Sequence, residues 1–292
     1  MRATGAVRGG VGLAAERLGH GPEVLVTTTS DHVALRTPTR PDHVSGNALH
    51  LYDPPEAIRP WLERHATTVG AVPGVTRAVV CWEVDDDLAG TEPRVAAPGD
   101  LPRDAGVDRV SVLEWRPDLP GDESGDDSGD DPDRRAVLAG LDVRDPAGLD
   151  IRSGRDEKVL AGARALYLQA GWGDDVDYWR WHTAQQLDLM VAGRCDVWVA
   201  SVMGIPASRV SVMHDRAGLA IVEDVVTHPL HRGRGLASAI VVHALDHHLA
   251  ARPRDRVVIR ADADGAARRI YERLGFVPVA TDVVVTRPTR GS

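Results

Sequence analysis

The stretch that decides the fold is Leu219–Ala251, LAIVEDVVTHPLHRGRGLASAIVVHALDHHLAA. Its first nine residues, Leu219–Thr227, are rich in β-branched and aliphatic side chains, which suit a buried, pleated strand. Pro229 closes that strand, and the turn Arg232–Gly235 follows. From there Leu236, Ile240, Val241, Ala244, Leu245 and Leu249 recur at helical spacing, so the spacing predicts a helix with one buried face, and Pro253 lies just beyond its expected stop. Glycines at a helix start let successive backbone N–H groups converge on one point, where the helix adds about half a positive charge. Such a nest binds phosphate without any lysine, and Arg232 and Arg234 can add charge-assisted contacts. Taken alone, Arg232-x-x-Gly235-x-Ala237 is a short motif in a chain rich in Arg, Gly and Ala. A surface turn whose glycines merely permit the geometry explains it equally well.

Working outward, the N-terminal flank offers a strand over Ala136–Val143 and helices around Asp156–Ala170 and Asp177–Gly193. Two strands, Val197–Met203 and Arg209–His214, are joined through Gly204 and Pro206 as a hairpin. The C-terminal flank offers a strand over Arg256–Ala261, a helix over Gly265–Leu274 with Gly275 as its C-cap glycine, and a final strand pair around Val277–Thr286. Residues 136–292 are therefore expected to form an α/β (α+β) domain with a mixed sheet.

Further upstream, residues 22–116 show strand-like runs at Val33–Arg36, Ala48–Tyr52, Arg77–Val84 and Val110–Trp115, with a helix over Pro55–Val69. They suggest a smaller α+β domain without a chemical motif. Residues 1–21 read as a loose, Gly-rich leader with no signal peptide. Residues 117–135 read as a flexible acidic linker: Asp118–Asp133 holds eight acids and no base, and removing it turns the net charge of −9 into −1. The folded parts are then close to neutral, which argues against a broad basic face for nucleic acid. No apolar run is long enough for a membrane span. Cys81 and Cys195 stand far apart, so neither a disulfide framework nor a cysteine-rich metal site is supported and a cytoplasmic location is the default. Lys158 is the only lysine and no glycine loop precedes it, which excludes a Walker A loop.

A second block decides between the two explanations of the glycine turn. About thirty residues later stands Asp264-x-x-Ala267-x-x-x-Tyr271-x-x-Leu274-Gly275-Phe276. With both blocks in order, residues 136–292 resemble the GCN5-related N-acetyltransferase (GNAT) superfamily, and the run Val226-Thr227-His228-Pro229 resembles that family's approach to its cofactor loop. The resemblance implies an acyl-CoA N-acyltransferase fold with acetyl-CoA as cosubstrate and no metal. It places the pyrophosphate on Arg232, Gly233, Arg234, Gly235, Leu236 and Ala237, and the pantetheine arm along Val225, Val226 and Thr227. The later helix would contribute Asp264 and Ala267, although Asp264 replaces the family's usual asparagine and can equally cap the helix. By analogy, residues 22–116 are a degenerate acetyltransferase-like half.

The implied reaction is direct attack of an amine on the thioester within one ternary complex. A lysine-like amine costs roughly 4 kcal/mol to deprotonate at neutral pH, so a base is needed. Glu223 and Asp224 are the nearest candidates; alternation sends them to opposite faces, and Glu223 is favoured. The N–H of Val225 or Val226, at the bulged strand end, would steady the thioester oxygen. Tyr271 matches the family's general acid by its spacing to Leu274-Gly275-Phe276. Trp172, Asp174, Asp175, Asp177, Tyr178, Trp179 and Trp181 cluster where an acceptor would sit, with packing as the alternative. His243 and His247 share a helical face but lack the glutamate of a zinc motif and any third ligand. A Rossmann fingerprint fails because Ser238 takes the third glycine's place. The expected partner is a small-molecule or protein amine. The alternatives are a non-catalytic acyl-CoA-binding or regulatory module and a scaffold that binds no cofactor.

Overall fold

A computed structural model describes residues 9–85, 100–116 and 149–289. The expected linker at 117–135, the expected strand Ala136–Val143 and residues 1–8 of the leader lie outside the described residues. Contacts divide the chain into two units. The first takes the chain up to Leu113 together with Arg260–Arg268 and the stretch from Pro278 onward; the second takes Glu114–Ile259 and Arg269–Val277.

The first unit opens with helix α1 (Val11–Glu16) and a 3-10 turn at Arg17–Gly19, followed by strands β1 (Leu25–Thr28), β2 (His32–Arg36) and β3 (Leu49–Leu51). Helix α2 (Arg59–Thr68), β4 (Arg77–Asp85) and β5 (Gly106–Trp115) come next. The last strand of the chain, β11 (Phe276–Pro288), lies antiparallel along β4 from Ala280 opposite Asp85 to Pro288 opposite Arg77. The strand order is β1-β2-β3-β4-β11-β5. Ile58, Leu62 and Val69 of the α2 segment cover Val80, Trp82 and Val283, forming the core on that face.

Three expectations change here. Residues 9–21 are not a loose leader: Leu13 and Ala15 of α1 are fully buried, and Leu13 packs on Ala48, Val79 and Cys81. A broken apolar run hid a helix too short to show a period. The expected C-terminal strand pair is one 13-residue strand. Its polar Thr281-Asp282 step resembles a turn, but Asp282 is fully buried and bound by Arg260 Nε at 2.9 Å. Because β11 pairs along β4, residues 278 onward are counted with the first unit rather than with a self-contained 136–292 domain.

The second unit contains β6 (Leu149–Ser153), α3 (Glu157–Gln169), α4 (Val176–Val191), β7 (Cys195–Val202), β8 (Ile205–His214) and β9 (Leu219–Thr227). A 3-10 turn at Pro229–His231 leads to α5 (Leu236–Ala251), β10 (Arg256–Asp262) and α6 (Ala266–Arg273). The strand order is β10-β9-β8-β7-β6, with β10 and β9 parallel and the others antiparallel. Asp156 caps α3 through Lys158 N–H at 2.8 Å, and Asp175 caps α4 through Tyr178 N–H at 2.8 Å, satisfying donors that each helix start leaves open. The edge strand β6 escapes the sequence pattern because five half-exposed, mixed residues carry no strong alternation. The mixed-sheet α+β architecture is the one expected. Among the described residues, no helix is long and apolar enough to cross a membrane.

Candidate functional site

The site grows from the end of β9. Opposite β8 the register shifts between Arg209 and Ser211: Arg209 faces Val226 and Ser211 faces Glu223, so Val210 stands against the two residues Asp224 and Val225. This is a β-bulge, and Asp224 at its centre has φ 55°, a left-handed conformation that costs a non-glycine residue roughly 1–3 kcal/mol. On the other side, β9 pairs with β10 only as far as Val222 opposite Ile259. The backbone from Glu223 to Thr227 therefore leaves its ladder with β10, as a strand accepting an extended ligand would need. The carbonyl of Val226 accepts from Ser208 Oγ at 3.0 Å, and Thr227 Oγ1 lies 2.9 Å from the same hydroxyl, which fixes the strand end on the β8 side.

The chain then turns into α5. His228 caps the 3-10 turn by accepting from Leu230 N–H at 3.2 Å. Gly233 and Gly235 hold φ 74° and 84°, and a Cβ at Gly233 would meet nothing within 4 Å. Their role is thus conformational, with open space beside the turn. No side chain caps the start of the 16-residue helix α5 at Gly235. Its first N–H groups therefore have no side-chain acceptor and the helix dipole adds to them, which is the donor arrangement an anion requires. Arg234 is exposed. Arg232 is turned back instead: its Nε donates to Thr227 O at 3.2 Å and its Nη2 to Ala170 O at 3.4 Å, so it fastens the turn to the end of β9 and to the end of α3. Leu236 is buried and anchors the helix, while Ala237 is half-buried behind it.

The two adjacent carboxylates have different surroundings. Glu223 is half-buried, and its charge acts on Tyr271. Tyr271 is buried on α6 with its ring 6.1 Å from Phe276; burial first, and Glu223 second, push its phenol far above the ordinary range, so it stays protonated and can donate. Asp224 enters a buried polar cluster. Its Oδ2 accepts from Gln186 Nε2 at 2.5 Å and from Ser211 Oγ at 2.9 Å, with Arg209 Nη2 at 3.7 Å and His182 Nε2 at 3.5 Å. Burial alone would raise this carboxyl, but His182, Arg209 and Ser211 outweigh it and hold the group well below the usual carboxylate range. Fully buried Arg209 also donates to Gln186 Oε1 at 3.0 Å and lies 4.5 Å over the Tyr167 ring.

Other expected residues fall elsewhere. Asp264 is exposed, and the carboxylate that closes its turn is Asp262, whose Oδ1 accepts from Asp264 N–H at 3.1 Å. Asp264 and half-buried Ala267 belong to the segment counted with the first unit. Trp179 stacks on Tyr167 at 4.0 Å as a core residue, whereas Trp172 is 48% exposed. Asp175 is the cap of α4, and Asp177 pairs with Arg180 at 2.9 Å. His243 and His247 both pack edge-on against Trp198 at 4.6 Å. Sequence reasoning passed over His182, Gln186 and Arg209. The signals were present: an arginine inside a strand of small and aliphatic residues, and a His and a Gln four apart on one helix face.

The family model for the acetyltransferase (GNAT) domain matches residues 193–278. That span begins just before β7 and ends at the start of β11, covering the bulge, the glycine turn and Tyr271. Residues 193–278 match a GNAT domain. No curated protein matches the chain significantly. Among solved structures, a functionally unknown conserved protein from Staphylococcus epidermidis aligns at TM-score 0.63 and 13% identity, over 91% of this chain and 94% of that one. A GCN5-related N-acetyltransferase from Kribbella flavida aligns at TM-score 0.53 and 16% identity, over 96% and 95%. A tandem GNAT protein from the clavulanic acid biosynthesis pathway aligns at TM-score 0.54 and 15% identity, over 93% and 85%. At these identities the likeness is one of fold, and it extends well beyond the GNAT domain toward the N-terminus.

Proposed function

We propose that the chain is an acetyl-CoA-dependent N-acetyltransferase that moves the acetyl group to an amine by direct attack in a ternary complex. The observation that carries this reading is the uncapped start of α5, entered through two left-handed glycines directly after a bulged strand that has left its neighbour. The pyrophosphate would lie on the N–H groups from Gly233 to Ala237, with Arg234 adding charge and Arg232 holding the turn in place. The pantetheine arm would run along Val225, Val226 and Thr227, whose backbone offers donors and acceptors on the side that β10 has left. A bulge amide, at Val225 or Val226, would then stand against the thioester oxygen as charge develops there.

Tyr271 is the proton donor to the departing thiolate; burial first, and the charge of Glu223 second, keep that phenol protonated. The N-terminal part is a degenerate acetyltransferase-like half, a reading supported by the tandem GNAT likeness over 93% of the chain. The acceptor is a small-molecule or protein amine. Titration calorimetry of the full chain with acetyl-CoA tests the proposal, followed by an amine screen that reads thiol release. Binding that weakens when Gly235 is replaced supports it; a folded chain that binds no acetyl-CoA contradicts it.

A further inference from the structure

The acceptor's ammonium proton needs a destination, and half-buried Glu223 on β9 is one candidate for it. The second unit holds another candidate. His182 projects from α4 beside the bulge, with Nε2 buried and 3.5 Å from Asp224 Oδ2, while the side chain keeps 19% of its surface exposed. Its ring is fixed on three sides: edge-on to Tyr167 at 5.5 Å, edge-on to Trp179 at 5.6 Å, and parallel to Tyr178 at 6.2 Å. Asp224 is held in turn by Gln186 and Ser211, with Arg209 behind it, and it occupies the strained left-handed position of the bulge. A buried carboxylate facing one ring nitrogen sets the tautomer and leaves the other nitrogen as the proton acceptor. Backbone strain that a polar network maintains is characteristic of working sites rather than of packing alone.

We propose that His182 is the base that deprotonates the acceptor amine, with Asp224 as the residue that positions it and balances its charge. This rests on the acetyltransferase function proposed for the same site. The ammonium gives one proton to His182 Nδ1, and the imidazolium formed is paired with Asp224 until it returns that proton to solvent. The freed nitrogen lone pair forms the C–N bond to the thioester carbon, and the C–S bond breaks. The thiolate takes a proton from Tyr271, which is replaced by the second amine proton released as the amide forms. The titratable and charged groups facing the ring are Asp224 from β9, Tyr167 from α3 and Tyr178 from α4 itself, with Arg209 of β8 beyond the carboxylate.

The test uses the full chain with acetyl-CoA and 2-phenylethylamine as probe amine, followed by thiol release from pH 6 to 10. His182→Gln is expected to lower kcat/KM at pH 7 by about 100-fold or more, with the deficit narrowing as rising pH supplies free amine. Acetyl-CoA binding by calorimetry should stay within about twofold of the parent, because a base acts on the amine rather than on the cofactor. Asp224→Asn, which tolerates the left-handed backbone, should move the acid limb of the profile to lower pH. Nitrogen NMR of the His182 ring provides a readout independent of any acceptor: the neutral form should carry its proton on Nε2. Parent-like turnover in His182→Gln with acetyl-CoA still bound, a loss equal at every pH, or a neutral ring protonated on Nδ1 each overturn the assignment of the base. A parent chain that binds no acetyl-CoA overturns the transferase function itself.

Discussion

Two helices in this molecule begin after a pair of left-handed glycines, and they treat the N–H groups at their starts in opposite ways. Before α1, Gly9 and Gly10 have φ 86° and 85°, and the Glu83 carboxylate from β4 accepts from Val11 N–H at 2.9 Å and Gly12 N–H at 2.5 Å. A Cβ on Gly10 would run into the Glu83 side chain. Before α5, Gly233 and Gly235 have φ 74° and 84°, no side chain caps the helix, and a Cβ on Gly233 would meet open space. The backbone device is the same, but the first start is filled by the protein's own carboxylate, whereas the second carries no side-chain cap, as the proposed pyrophosphate site requires. A glycine turn therefore says little until its partner is known. The absence of a cap on a 16-residue helix, beside a strand that has left its ladder, is what makes the second turn informative.

The contrast can be broken in four ways. The largest effect is expected from Tyr271→Phe, which should lower kcat about 100-fold or more while acetyl-CoA affinity stays nearly constant; equal turnover in a steady-state assay contradicts the role of the phenol. Glu83→Gln leaves one carbonyl to serve two N–H groups and should cost about 2 kcal/mol of stability by denaturant titration, with acetyl-CoA binding unaltered. Gly235→Ala forces a side chain into the left-handed region at roughly 1–2 kcal/mol, so acetyl-CoA affinity should fall about tenfold by calorimetry.

The fourth prediction reads stability rather than catalysis or binding and concerns Asp282, whose carboxyl is raised to about 7 by burial first, against the pull of Arg260, and also by Glu83 and Glu16. The native state then holds a proton that the unfolded chain has released above its ordinary value of 3.8. Stability relative to Asp282→Asn should accordingly fall as pH rises from about 4 to about 7, then level off. Melting curves across that range provide the check, and a difference that rises with pH would show the carboxyl to be lowered instead.

Much of the second unit is legible in the sequence. The Leu219–Thr227 strand has the expected bounds, and the aliphatic stripe from Leu236 to Leu249 gives α5, because long periodic elements write their burial into residue order. The glycine turn and the Tyr271 helix are legible as blocks with fixed spacing. What escapes is whatever depends on pairing across distance. The Thr281-Asp282 step looks like a turn until Arg260 is found bonded to it, and α1 looks like a leader until Glu83 closes it. The bulge that separates Glu223 from Asp224 is a register event between β8 and β9, and residue order in one strand cannot show it. His182, Gln186 and Arg209 come together only through the packing of α4 on that sheet.

The most direct test of the open and closed helix starts is the stoichiometry of acetyl-CoA binding to the full chain, measured by titration calorimetry for the parent, Gly235→Ala and Glu83→Gln. The account predicts one molecule per chain, weakened by the change at Gly235 and indifferent to the change at Glu83. Two molecules per chain, or affinity that follows Glu83 and ignores Gly235, would contradict it.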